Sequence, residues 1–155
     1  MLSRLFPSRI DNTFAGSKIA LVLLGALFLV KGVIGFNSMV FGRMVAGDAD
    51  GIPVASYPAA CVQAIVSLYG TWGATMFVLC AFGVLVLFRY RAMVPLVFLL
   101  LLCEQLLRRF SDAAHPIAMN AAAGGAINLA FFALLILGLV LSLWVPWRRA
   151  EPSFQ

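Results

Sequence analysis

Between Arg89 and Asp112 the chain reads RYRAMVPLVFLLLLCEQLLRRFSD, an apolar run bracketed by arginine clusters with one carboxylate, Glu104, inside it. Such a run is a membrane span, and an acid within hydrocarbon is costly enough that it is expected to face other protein and meet a partner. The rest of the chain has the same character. Of its 155 residues 63% are hydrophobic and 11% charged, and the apolar ones fall in long blocks, which excludes a soluble domain and marks a polytopic membrane protein.

Four blocks are long enough to be read as spans, over residues 19–41, 61–88, 93–107 and 121–145. The expected fold is therefore all-α, an integral membrane four-helix bundle in one domain, because nothing outside the spans is long enough to bury a soluble core. Residues 1–18 read as a basic, amphipathic tail on the membrane surface: Leu2, Leu5, Phe6, Ile10 and Phe14 alternate with Arg4, Arg9 and Lys18. The first span is too long and glycine-rich for a cleaved signal peptide, and its Gly25, Gly32, Gly35 and Gly42 favour close helix contacts. Residues 43–60 form a turn-rich loop with Asp48, Asp50, Gly51, Pro53 and Pro58. Its DADG fragment lacks the later oxygen ligands and closing glutamate of a calcium loop, so no metal site is expected.

Only residues 89–92, with Arg89, Tyr90 and Arg91 among them, separate the second and third spans, which must then be antiparallel neighbours. Trp144, Trp147, Arg148 and Arg149 end the fourth span as an aromatic anchor followed by charge, and 148–155 is a short tail. Four spans put both termini on one side. Arg4, Arg9, Lys18, Arg89, Arg91, Arg148 and Arg149 fall with the termini, against Arg43, Arg108 and Arg109 opposite, so the termini are predicted to be cytoplasmic. The net charge of +5 is thus a topology signal, and no nucleic-acid partner is expected. Cys61, Cys80 and Cys103 lie too far apart for a CxxC motif and are read as small apolar packing residues.

Residue counting gives depth. Lys31 lies 13 residues beyond Lys18, and Glu104 lies 13 beyond Arg91, so both sit roughly 20 Å above the cytoplasmic edge. They are expected to pair across the bundle, with Arg108, four residues after Glu104, as a competing partner in the same charge network. At and above this height lie Asn37, Ser38, Asn120 and Asn128, and in the second span Gln63, Ser67, Thr71 and Thr75 recur every four residues as one stripe. Two readings stand: helix-to-helix glue, or an outer-half polar pocket formed by Asn37, Gln63, Ser67, Thr71, Thr75 and Asn128 with Glu104 and Arg108 at its floor. The half below is nearly pure Leu, Val, Phe and Ala.

The glycine-containing first span, the outer loop, the pair Tyr69-Gly70, and the third span ending in Arg109, Ser111 and Asp112 together resemble the DoxX-like group of small bacterial membrane proteins. The resemblance covers most of the chain. Relatives commonly carry a glycine just before that arginine, where this chain has Glu104-Gln105-Leu106-Leu107-Arg108. It implies a four-helix bundle of the bacterial inner (cytoplasmic) membrane that acts in places as a membrane partner of redox or stress proteins.

No GxSxG, HExxH, P-loop or dinucleotide fingerprint occurs, so no catalytic residues are assigned, and the one histidine, His115, cannot supply bis-histidine haem ligation. The expected function is a noncatalytic accessory or scaffold subunit of a larger membrane protein complex, with Phe28, Phe77, Phe82, Phe98, Phe131 and Phe132 as outward contact surface to lipid, to that complex or to further copies of the chain. The alternatives are a quinone-linked oxidoreductase subunit, with the headgroup in the outer-half pocket, and a proton-coupled or small-solute carrier acting as an oligomer with Glu104 as its site.

Overall fold

A computed structural model describes residues 5–116, 120 and 124–144, and these are all helix, turn and loop. Four long helices carry the structure: α1 Lys18–Val40, α2 Ala59–Arg89, α3 Val94–Ala114 and α4 Gly124–Leu143. Three of them, α1, α2 and α4, are long and apolar enough to cross a membrane. The third predicted span continues as helix seven residues past Leu107, through the charged segment to Ala114, because Arg108 to Ala114 keeps helix-forming residues until His115 and Pro116 stop it. The predicted starts at Ala121 and ends at Val145, with Trp147, Arg148 and Arg149, lie outside the described residues.

Local chemistry sets the boundaries. Ser17 caps α1, its hydroxyl accepting from the Ile19 amide at 3.3 Å. After Val40 the chain stays helical longer than a turn-rich loop implies, through Gly42–Met44 and a π-helical turn Val45–Ala49, before Gly51 at φ 76° and Pro53 break it. At the other end of α2, Arg91 folds back so that its Nε donates to the Leu87 carbonyl at 2.9 Å, satisfying an orphan acceptor of the last turn. A single 3₁₀ turn, Arg91–Met93, then leads into α3, with Pro95 in its first turn.

α1 makes its most extensive packing with α2, and glycine allows it. A β-carbon on Gly35 would come within 2.9 Å of Met76 Cβ, and one on Gly73 would strike the Gly35 carbonyl. Only bare backbone lets the helices approach that far. Two other glycines are sockets for rings: Gly83 of α2 receives Phe28 and Gly138 of α4 receives Phe98, each ring occupying the space a β-carbon would need. Phe28, Phe98 and Phe131 are therefore core residues, not outward surface, while Phe77 and Phe82 do face out. With Leu24, Leu101, Leu135, Val86 and Val94 these rings fill the half of the structure below Lys31. Of the cysteines only Cys80 is buried in this core; Cys61 and Cys103 are exposed.

Backbone bonds tie each end together. The Ser17 amide donates to the Leu141 carbonyl at 3.1 Å and the Ala92 amide to the Asp11 carbonyl at 3.2 Å, so the N-terminal segment, the α2–α3 turn and the end of α4 share one end. Residues 6–17, part of the segment expected as a basic tail, run across the helix ends, with Phe14 packed on the core. At the opposite end the Asn120 amide donates to the Gly51 carbonyl at 2.8 Å.

Candidate functional site

Two polar features sit above the apolar core, and both begin from α1. The first is an ion pair. Lys31 Nζ lies 2.9 Å from Glu104 Oε2, joining α1 to α3, with the lysine side chain 3% exposed and the carboxylate 33% exposed. The ammonium also lies 5.6 Å from the centre of the Phe131 ring on α4, so a third helix contributes to holding it. A lysine this deeply enclosed needs a counter-charge, and Glu104 is the only carboxylate within 4 Å of it among the described residues.

Arg108 does not compete for Glu104. One turn further along α3, its Nη2 donates to Gln105 Oε1 and to Asn128 Oδ1 on α4, each at 3.0 Å, and its guanidinium lies 5.2 Å from the centre of the Trp72 ring. The four-residue spacing allowed a helical Glu–Arg pair, but Glu104 is already drawn across to Lys31, and Arg108 is turned towards α4 and α2. Arg109 extends the same seam, donating to the Asn128 carbonyl at 3.3 Å over Phe132.

The second feature is a cavity of about 130 Å³ beside Arg108. Asn37 of α1, Asp50 from the turn after it, Trp72 of α2, Arg108 of α3, and Gly124 and Asn128 of α4 line it. Of the pocket residues expected from sequence, Asn37, Asn128 and Arg108 are brought together here. Glu104 is not in the lining. Gln63, Ser67, Thr71 and Thr75 are a correction: all four are exposed on the outside of α2. The inner side of that helix is taken by Gly73, Met76, Cys80 and Gly83, which α1 packs against. Thr71 and Thr75 satisfy their hydroxyls on carbonyls of their own helix, Ser67 and Leu68 for the first and Thr71 for the second, so facing outward leaves neither orphaned. Ser38, by contrast, is buried and donates to the Ile34 carbonyl at 2.8 Å.

Sequence reading missed Asp50 and Trp72 as site residues. Asp50 is expected in a turn-rich loop, yet its Oδ2 accepts the Tyr69 hydroxyl at 2.6 Å, which pins the turn onto α2. The usable signal was Tyr69-x-x-Trp72, two amphipathic aromatics three apart on one face and stacked edge to face here at 6.0 Å. No family model, curated protein or solved structure matches the chain.

Proposed function

We propose that all four helices span a bilayer as one bundle with both termini cytoplasmic, and that the chain is a noncatalytic accessory or scaffold subunit of a larger membrane complex. The charge bias supports the orientation: Arg9, Lys18, Arg89 and Arg91 belong to the end where the N-terminal segment meets the α2–α3 turn, and Arg43, Arg108 and Arg109 lie towards the other. The DoxX-like features, Tyr69-Gly70 and Arg109 with Ser111 and Asp112, support a bacterial inner membrane.

One observation carries the accessory reading: the stripe Gln63, Ser67, Thr71 and Thr75 faces away from the other helices. Hydroxyls gain nothing from lipid tails, whereas small and polar residues are what helices use to associate in bilayers, at about 0.6 kcal/mol for each hydrogen bond between them. Gly70 lies beside the stripe with nothing within 4 Å of its β-carbon position, which leaves room for another backbone to come close. The occupant is a transmembrane helix of a partner subunit. The test is extraction of the native membrane into lipid nanodiscs without detergent. Wild-type protein should bring a partner with it, and Ser67→Leu/Thr71→Leu/Thr75→Leu should lose that partner while remaining folded. Recovery of wild-type chain solely as a free monomer would refute the reading.

A further inference from the structure

Arg108 and Asp50 line one cavity with opposite charges and do not meet. Among the described residues the only ion pair within 4 Å is Lys31 with Glu104, so guanidinium and carboxylate stand apart across the space. Each keeps unused capacity. Arg108 commits Nη2 to Gln105 and Asn128, while its Nε and Nη1 make no hydrogen bond among the described residues. Asp50 commits Oδ2 to Tyr69, and its Oδ1 has no donor among the described residues. Glycine at 124 spares that oxygen a close contact, since a β-carbon there would press to 2.8 Å from it. The charges cannot simply swing together, because each is anchored on a different side: Arg108 over the Trp72 ring and onto α4, Asp50 by the Tyr69 hydroxyl.

We propose that this cavity binds a small zwitterion, its carboxylate against Arg108 and its ammonium against Asp50 Oδ1. Separated opposite charges in a weakly polar surrounding gain most from a molecule that presents the complementary charge to each at once. An anion alone would be attracted by Arg108 and repelled by Asp50, and a cation alone the reverse. Size agrees. At the roughly 30 Å³ each water takes in the liquid, a cavity of about 130 Å³ holds about four water-sized groups, the scale of a small amino acid. Asn37 lines the same space and offers an amide that serves either end. The site is separate from the outer face of α2, so this proposal and the accessory reading stand or fall independently.

The experiment is calorimetric titration of the full chain in lipid nanodiscs with three near-isosteric probes: β-alanine, propionate and propylamine. β-Alanine should bind at least about tenfold more tightly than either single-charge probe, and Arg108→Gln and Asp50→Asn should each weaken it by at least about tenfold. Should Arg108→Gln fail to fold, Asp50→Asn carries the same test, since it leaves every contact of the guanidinium in place. Propionate binding as tightly as β-alanine would reduce the cavity to an anion site and overturn the proposal. So would β-alanine binding that ignores Asp50→Asn, or no saturable heat with any of the three.

Discussion

Removing Glu104 should damage this protein more than removing Lys31, and removing both should do little. Lys31 is almost fully enclosed, so Glu104→Leu strands an ammonium that has no other carboxylate within 4 Å. Breaking a buried pair from one side costs about 3–5 kcal/mol, and because Glu104 is itself 33% exposed the lower end applies, about 3 kcal/mol. Lys31→Met leaves the acid instead. Glu104 is 33% exposed and so is not shut away as the lysine is, and the methionine keeps a contact with the Phe131 ring, so the loss should stay below about 2 kcal/mol. With both charges gone, Lys31→Met/Glu104→Leu should lie within about 1 kcal/mol of wild type, since apolar replacements of buried pairs are often neutral. For a chain of this size 1 kcal/mol moves Tm by about 2–4 °C, so the single Glu104 variant should melt about 6–12 °C early. Helical circular dichroism in bicelles across the four proteins gives the coupling energy directly. Strictly additive losses, with coupling under about 0.5 kcal/mol, would refute the claim that these two groups stabilise each other.

Two further outcomes follow from the packing and the N-terminal segment. Gly138→Leu forces a side chain into the volume of the Phe98 ring and should destabilise by about 1–3 kcal/mol in the same melt, whereas Gly125→Leu, whose β-carbon position is open, should not; equal melting of the two would contradict the ring-socket geometry. Asp11 accepts from the Thr13 hydroxyl and then its amide, with Arg9 nearby, and these hold its pKa below the ordinary 3.8. A lowered carboxylate pKa means the contact is complete above that ordinary value and is lost as pH falls through the lower folded one. Thr13→Ala should therefore move the Asp11 carboxyl titration upward, read by NMR, and an unmoved midpoint would show that the threonine does not hold it.

Depth was legible in the sequence and direction was not. Counting from Lys18 and from Arg91 places Lys31 and Glu104 level, because helical rise is fixed and flanking charges mark the membrane edge. The spacing of Gln63, Ser67, Thr71 and Thr75 establishes that they share a face, but period four is silent on which way that face turns. In water polarity would decide it. Here the choice fell to close approach: Gly73 and Gly83 let α1 dock on one side of α2, and the hydroxyl stripe was left on the other. Gly83 and Gly138 likewise explain Phe28 and Phe98, whose burial depends on a missing β-carbon on a different helix and so leaves no trace in their own surroundings. Asp50 escaped notice because a turn rich in Gly and Pro reads as solvated, and its anchor, Tyr69, lies 19 residues away.

The lysine–glutamate contact spans 73 positions of sequence. During synthesis at about 5–20 residues per second, the first helix is therefore made roughly 4–15 s before its counter-ion exists. Over that interval an ammonium halfway along a hydrophobic segment has to be sheltered by the insertion machinery or by headgroups, and a nascent chain halted short of Glu104 has nothing of its own to neutralise it.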